Sequence, residues 1–330
     1  MRAVLAVVLG LALAWGGIWL LAAEGLKRAS ESWFAAQTAN GRTASHGSLD
    51  VTGFPGRFAL TLTAVSLADP ATGTGWQTPA IRITSPSYMP WHLTATLPGP
   101  LAIFTPSEII TLTATGLQAD LSLTPIPALP LDAITVEGDK LRATSSQGWQ
   151  LDANHARLVT AKDPAQPNTH SISLTLKGLT PDPALIAALA GQSDLPPRLD
   201  LVQIDAVATL TAALDRHAYQ THPTLTNLSL NDSTLHWGPL ALTASGTIKA
   251  DPQGRAEGRI ALRLEHWQQA LIAARAMGLI RAELAPTLAR ALTLLALQSG
   301  NPDILDLPLT LQSGYVSLGP IPLGPAPLMP

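Results

Sequence analysis

From Phe58 onward, apolar residues return at every second position. Phe58, Leu60 and Leu62 alternate with Ala59, Thr61 and Thr63. A period of two sends the two sets to opposite faces of an extended strand. The same pattern recurs at residues 80–84, 92–97, 109–123, 133–138, 149–160, 171–179, 199–214, 225–237, 240–251 and 256–267. About a dozen strands follow from it, most of them separated by short turns. On each, one face is apolar and the other is mostly Thr, Ser, Asp or Gln. That describes antiparallel sheet with one dry and one wet face, since a buried parallel sheet needs continuous apolar runs. At Ala64 the phase slips and Val65 and Leu67 take over the apolar positions, which predicts a bulge or bend. With 28 Pro and 25 Gly, the chain is rich in turns. The DPQGR segment at 251–255 is suited to a hairpin.

The first strand is preceded by GFPG, residues 53–56. Phe54 stands before a proline and is pushed toward extended geometry. Gly53 and Gly56 permit a sharp corner on either side. Arg57 is out of phase with the apolar set and belongs to the wet face. GFPG therefore reads as the turn that launches the strand, and Phe54→Ala is expected to lower folding yield.

Residues 3–23 carry no charge between Arg2 and Glu24. At 1.5 Å per residue this stretch spans about 30 Å, one hydrocarbon core. Trp15 and Trp19 lie toward its far end, where an interfacial belt would be. A retained transmembrane anchor is the first reading. The alternative is a cleaved signal peptide, against which Leu21 stands where a small residue is required. Arg2 favours a cytoplasmic amino terminus, while Lys27 and Arg28 weaken that bias. Either way the rest of the chain is exported, from the inner membrane into the periplasm. Residues 24–41 continue as a helical stalk, with Leu26, Trp33 and Phe34 on one stripe. Residues 42–330 form the β-rich exported domain, with a possible subdivision near 125–131, where PIPALP breaks the pattern.

Two further helical segments interrupt the strands. Residues 182–191 have Asp182 as N-cap, Pro183 at the first position and Gly191 at the end. Residues 266–299 read as a C-terminal helical hairpin, with Leu271, Ile272, Leu279, Leu288, Leu292 and Leu295 in buried stripes. After two short strands about Ser313-Gly314, the proline-rich tail argues against regular structure.

The chemistry-bearing residue types are sparse. No cysteine is present, which excludes disulfides, thiolate metal sites and cysteine nucleophiles. Charged residues make up only 13% and the net charge is -3, so nucleic acid is a poor partner. There is no HExxH, phosphate loop, dinucleotide fingerprint or nucleophile elbow. His217 and His222, five apart in a polar loop, read as solvated rather than metal-binding. Asp200 and Asp205 fall on opposite strand faces, so they are no acid–base pair. No catalytic, cofactor or metal residue is assigned, and an enzyme is not expected. The aromatic positions Phe54, Trp76, Tyr88, Trp91 and Trp237, with Arg57, are structural or rim candidates, sealing a core or bordering a lipid groove. Trp149 and Trp267 also stand at strand ends.

The stretch GFPGRFALTLTAVSLADP, followed by TGWQTPAIRITSPSYMPWHLTATLPGP, resembles the DUF2125 family of bacterial envelope proteins. The matching positions are Gly53, Phe54, Pro55, Arg57, Trp76, Pro79, Tyr88 and Pro90. WGPLALTASGTIKADPQGRAEGRIAL and YVSLGPIPLGPAP are similar to that family as well. The resemblance implies an N-terminal anchor and a large β-rich exported region, and supplies no catalytic residues. In architecture alone, the strands are also similar to AsmA-like envelope proteins, linked to lipid handling. Three functions stay open: a structural or lipid-binding envelope protein, a protein–protein interaction module of an envelope complex, and an exported hydrolase.

Overall fold

The computed structural model describes residues 2–280, 285–298, 300–319 and 321–329, with side chains outside residues 2–9, Tyr219 and Gln298. The protein is mainly β, with 52% of residues in strands and antiparallel pairing. It divides into two compact units, Met1–Pro125 with Val136–Gly148 and Ile126–Thr135 with Trp149–Pro330.

The first unit opens with a single helix, α1 (Arg2–Ala39), followed by β1 (Thr43–Ser45), β2 (Leu49–Thr52), β3 (Arg57–Asp69) and β4 (Thr74–Pro86). Then come β5 (His92–Thr96), β6 (Leu101–Phe104) and β7 (Ile109–Leu123). The end of β8 (Leu131–Ser145) lies beside β7, and Ser146 N donates to Ile109 O at 2.9 Å. Paired residues in such a ladder share a face. Val51, Leu60, Ile83, Ala95 and Ala119 form one transverse row. The adjacent row is Asp50, Thr61, Arg82, Thr96 and Gln118. The dry and wet faces expected from the alternation are these two rows.

The bend expected at Ala64 is present. Ala64 has φ 46°, and the register passes from Thr63 opposite Ala80 to Val65 opposite Thr78. Ala64 and Pro79 lie between, so both strands change phase together and Leu62 and Val65 share the buried face. Pro79 has no N–H to lose there. The bend also divides β1 from β2: β2 pairs with residues 59–62 of β3 and β1 with residues 66–68.

Among the described residues, no helix is long and apolar enough to cross a membrane. The start of the expected anchor, up to residue 9, has side chains outside the described residues. Its far end is corrected. Trp19 is not in an open belt but 6% exposed against the sheet, and Phe34 joins Leu49, Leu60, Leu62 and Val65 in the core. Of the expected stripe, Leu26 and Phe34 pack inward, whereas Trp33 remains 47% exposed.

The second unit runs β9 (Gln150–Lys162), β10 (Thr169–Leu179), α2 (Pro183–Leu189), β11 (Leu199–Leu210), α3 (Ala218–Thr221), β12 (Leu225–Trp237) and β13 (Leu240–Ala250). It continues with β14 (Ala256–Glu265), α4 (Trp267–Ala276), α5 (Ala285–Gln298), β15 (Ile304–Gln312), β16 (Tyr315–Leu318) and β17 (Ile321–Pro325). Consecutive strands pair from β9 to β17 in an up-and-down meander. Ile172, Ala206, Leu230, Gly246, Ile260 and Leu309 make a dry row. Ser171, Val207, Ser229, Thr247, Arg259 and Thr310 make the mostly polar row beside it. Helices cover one end of the dry face: Leu189 and Ala273 pack with Leu199, Trp237 and Leu240, and Leu292 and Ala296 with Leu305 and Leu307.

Two expectations fail in this unit. Leu279 is 73% exposed, because α4 ends at Ala276 before it. The proline-rich tail is not irregular, since β17 pairs with β16 and Arg255 bridges to Leu328. Proline is tolerated there because an outermost strand leaves one row of N–H groups unused.

Local chemistry sets the turns and helix starts. Asp182 caps α2 by accepting from Ala184 N at 2.7 Å, and it accepts from Gln150 N at 2.9 Å. These N–H groups, Gln150 first, hold its carboxyl below the usual range. In the DPQGR turn, burial pushes the Asp251 carboxyl up. Hydrogen bonds from Arg255 and Gln253 outweigh that and leave it lowered.

His170, at the β10 end of a dry row, is 4% exposed, and among the described residues its Nδ1 has no partner. Burial first, then Lys162, lower its pKa below 6.5, while Asp132 opposes them. A histidine depressed in the fold binds its proton more readily when unfolded. Its contribution is therefore full above pH 6.5 and is lost as pH falls below that value. The lowered carboxylates act elsewhere, losing their contribution only as pH falls below 3.8. The thermal midpoint of the second unit, followed by its own probe, is thus expected to drop between neutral pH and pH about 5. His170→Gln should flatten that segment of the profile and leave the more acidic limb in place. An unchanged slope would assign it to other groups.

Candidate functional site

The apolar face of the first unit does not close fully under α1. Two cavities remain between the helix and β3–β4. One, of about 430 Å³, lies among Trp33, Phe34, Leu62, Val65, Trp76 and Ile81. The other, of about 520 Å³, lies among Trp15, Trp19, Leu26, Phe58, Pro90 and Leu93. Leu60 and Ile83 line both, so the cavities adjoin at the centre of the dry row. Each volume falls within the roughly 300–1,000 Å³ of small-molecule sites. The polar side chains on their walls are serines, Ser30 in the first and Ser85 and Ser87 in the second. Ser30 Oγ is engaged with Leu26 O at 2.9 Å. Walls of this kind offer dispersion and release of water from apolar surface, with no charge to orient a polar solute.

The second cavity exists because α1 is pinned at a distance from the sheet. Trp19 stacks on Phe58, with ring centroids 5.4 Å apart and planes at 13°, and its Nε1 donates to Arg57 O at 3.1 Å. Trp15 Nε1 donates to Pro55 O at 3.2 Å. Indoles this bulky hold the helix backbone away from the strands. The device recurs in the second unit, where Trp237 Nε1 donates to Pro196 O at 2.7 Å and Trp267 Nε1 to Pro302 O at 2.9 Å. A carbonyl on a proline-bearing turn lies outside the strand ladders and needs a donor. Indole N–H is a donor and nothing else.

The sequence-derived positions separate into walls, tip and core. Trp76 stands two residues into β4 and lines the first cavity. Phe54 is 56% exposed and edge-on to Trp19 at 5.5 Å, on the turn that leads into β3. Arg57 is exposed, and its backbone carbonyl rather than its guanidinium makes the contact with α1. Tyr88 is 67% exposed on the turn that meets GFPG, where Ser87 Oγ donates to Pro55 O at 3.0 Å. Trp91 is half-buried beside His92, with ring centroids 6.4 Å apart. Trp237 is 5% exposed in the core of the second unit.

Trp15 and Trp19 were missed as wall residues. Their signal in the sequence was the pairing of aromatic residues on a helix with the aromatic GFPGRF turn. Among the described residues, no group of three or more His, Asp or Glu is placed to hold a metal ion.

The match to known families spans nearly the whole body. A family model described as "Uncharacterized protein conserved in bacteria (DUF2125)" matches residues 19–327. The chain belongs to the DUF2125 family. No curated protein and no solved structure matches it. The matched range includes Trp19, GFPG, β3 and β4, so the walls of both cavities fall almost entirely within the DUF2125 region.

Proposed function

We propose that this DUF2125 protein is held in the inner membrane by residues 3–23 and carries an acyl chain in the cavities beneath α1, with its β-rich body in the periplasm. The observation that carries this reading is the pair of adjoining apolar cavities along α1. An acyl chain fits walls that present hydrocarbon and aromatic surface and few polar groups. The uncharged stretch at the amino terminus supports the anchor, and the absence of cysteine is compatible with export.

The test is photocrosslinking in cells with a diazirine-bearing fatty acid, followed by denaturing purification and peptide mapping. Labelled peptides are expected from α1 after Trp15 and from β3 and β4. Ala22→Trp combined with Ala29→Trp places indoles in both cavities from exposed helix positions, and should reduce that label severalfold. Label confined to residues 3–14, indifferent to the double substitution, would mean that the cavities hold no acyl chain.

A further inference from the structure

The GFPG turn and the Ser87–Pro90 turn form one tip with α1. Trp15 Nε1 and Ser87 Oγ both donate to Pro55 O, and Ser87 N donates to Gly56 O at 3.0 Å. The Phe54 ring lies against Gly16, where an added Cβ would be 3.8 Å away. From this tip α1 runs both ways. Toward its C-terminus it follows the sheet to Phe34 and Val65. Toward its N-terminus it continues as helix to Arg2, through a sequence without charge.

The helix length fixes the depth of the tip. A hydrocarbon core of about 30 Å takes about 20 residues at 1.5 Å each, so a span laid on the uncharged stretch between Arg2 and Glu24 ends near residue 22. Trp15, bound to the tip, falls about 10 Å short of that end. The tip therefore cannot stay outside the bilayer while α1 spans it. Its composition suits immersion: Phe54 and Tyr88 are exposed, as are Leu11, Leu13 and Ile18 of α1. Arg57 is the one charge on the two turns, and its long side chain can snorkel to the headgroups.

We infer that the GFPG and Tyr88 turns are inserted in the outer leaflet of the inner membrane, so that the cavity bordered by Trp15, Ile18, Pro90 and Leu93 opens at acyl-chain depth. This rests on the anchor proposed above. It makes the tip a lipid-facing surface and gives an acyl chain a lateral route to the cavity without crossing water.

Because the chain has no cysteine, single thiols report cleanly. Leu11→Cys, Phe54→Cys, Tyr88→Cys and Glu257→Cys replace exposed residues, the last on β14 of the second unit. Each full-length variant carries a bimane label in phosphatidylethanolamine–phosphatidylglycerol vesicles containing nitroxide-labelled acyl chains. The Leu11, Phe54 and Tyr88 labels are expected to lose emission to the nitroxide, while the Glu257 label keeps it. Quenching at Leu11 without quenching at Phe54 and Tyr88 would overturn the inserted tip and leave the anchor standing. No quenching at Leu11 would remove the anchor and the inference with it.

Discussion

Trp19→Ala is expected to release α1 from the first unit at a cost of about 3–5 kcal/mol, the range for removing a buried Trp or Phe side chain. The residue is 6% exposed, stacks on Phe58, meets Phe54 edge-on and supplies the donor to Arg57 O. Its loss removes packing and also the indole donor to that carbonyl. A single thermal midpoint is a poor readout for a chain with two compact units. Native-state hydrogen exchange on full-length protein in detergent separates them. The slowest amides of β3 and β4 should exchange roughly a hundred- to several-thousand-fold faster, at tenfold per 1.4 kcal/mol. Those of β13 and β14 should be unchanged. Phe54→Ala is the comparison: an exposed ring with one edge contact is worth about 0.5–1.5 kcal/mol. Equal effects from the two substitutions would show that the turn, not the indole, holds the helix.

The strands were legible because their signal is local. Alternation at Phe58–Thr63 and at residues 256–265 needs only neighbouring residues to be read, and the pairing then follows from short turns. The bend at Ala64 was legible for the same reason, as a slip in that alternation. So was the start of α2, where Asp182 and Pro183 act on adjacent backbone groups. What was not legible depends on partners far along the chain. Trp19 reads as an interfacial residue when only its own segment is considered. Its partners Phe58 and Arg57 lie about forty positions later. Leu279 fits a helical stripe, yet the helix stops three residues before it. The tail prolines argue against a strand only where both edges must pair, and at β17 one edge is free of that demand. The cavities belong to this second class, since they arise from the spacing between a helix and a sheet that no local pattern encodes.

Gly246→Ala is expected to damage the second unit at least as severely, through backbone rather than side-chain contact. Gly246 has φ 153°, a region that L-residues rarely enter. A Cβ there would lie 2.2 Å from Arg259 O and 2.7 Å from Ile260 Cα on the paired strand. Neither neighbour can rotate away, because both are main-chain atoms held in the β13–β14 ladder. Gly258 repeats the arrangement from the other side, with φ 151° and a Cβ position 2.1 Å from Thr247 O. The two strands are thus pressed together at two glycines, and either substitution must part them. Strained backbone alone costs about 1–3 kcal/mol. With the clash added, the loss should exceed about 3 kcal/mol, in the range reserved for disrupted cores. Gly254→Ala isolates the conformational part. Its φ is 75°, in the turn between the same strands, with nothing within 4 Å of the added Cβ. Exchange of β13 and β14 amides should therefore rise far more in Gly246→Ala than in Gly254→Ala, with β3 and β4 unaffected in both. If the turn substitution were the more damaging, the hairpin would depend on its reversal, and the close approach of the two strands would contribute little.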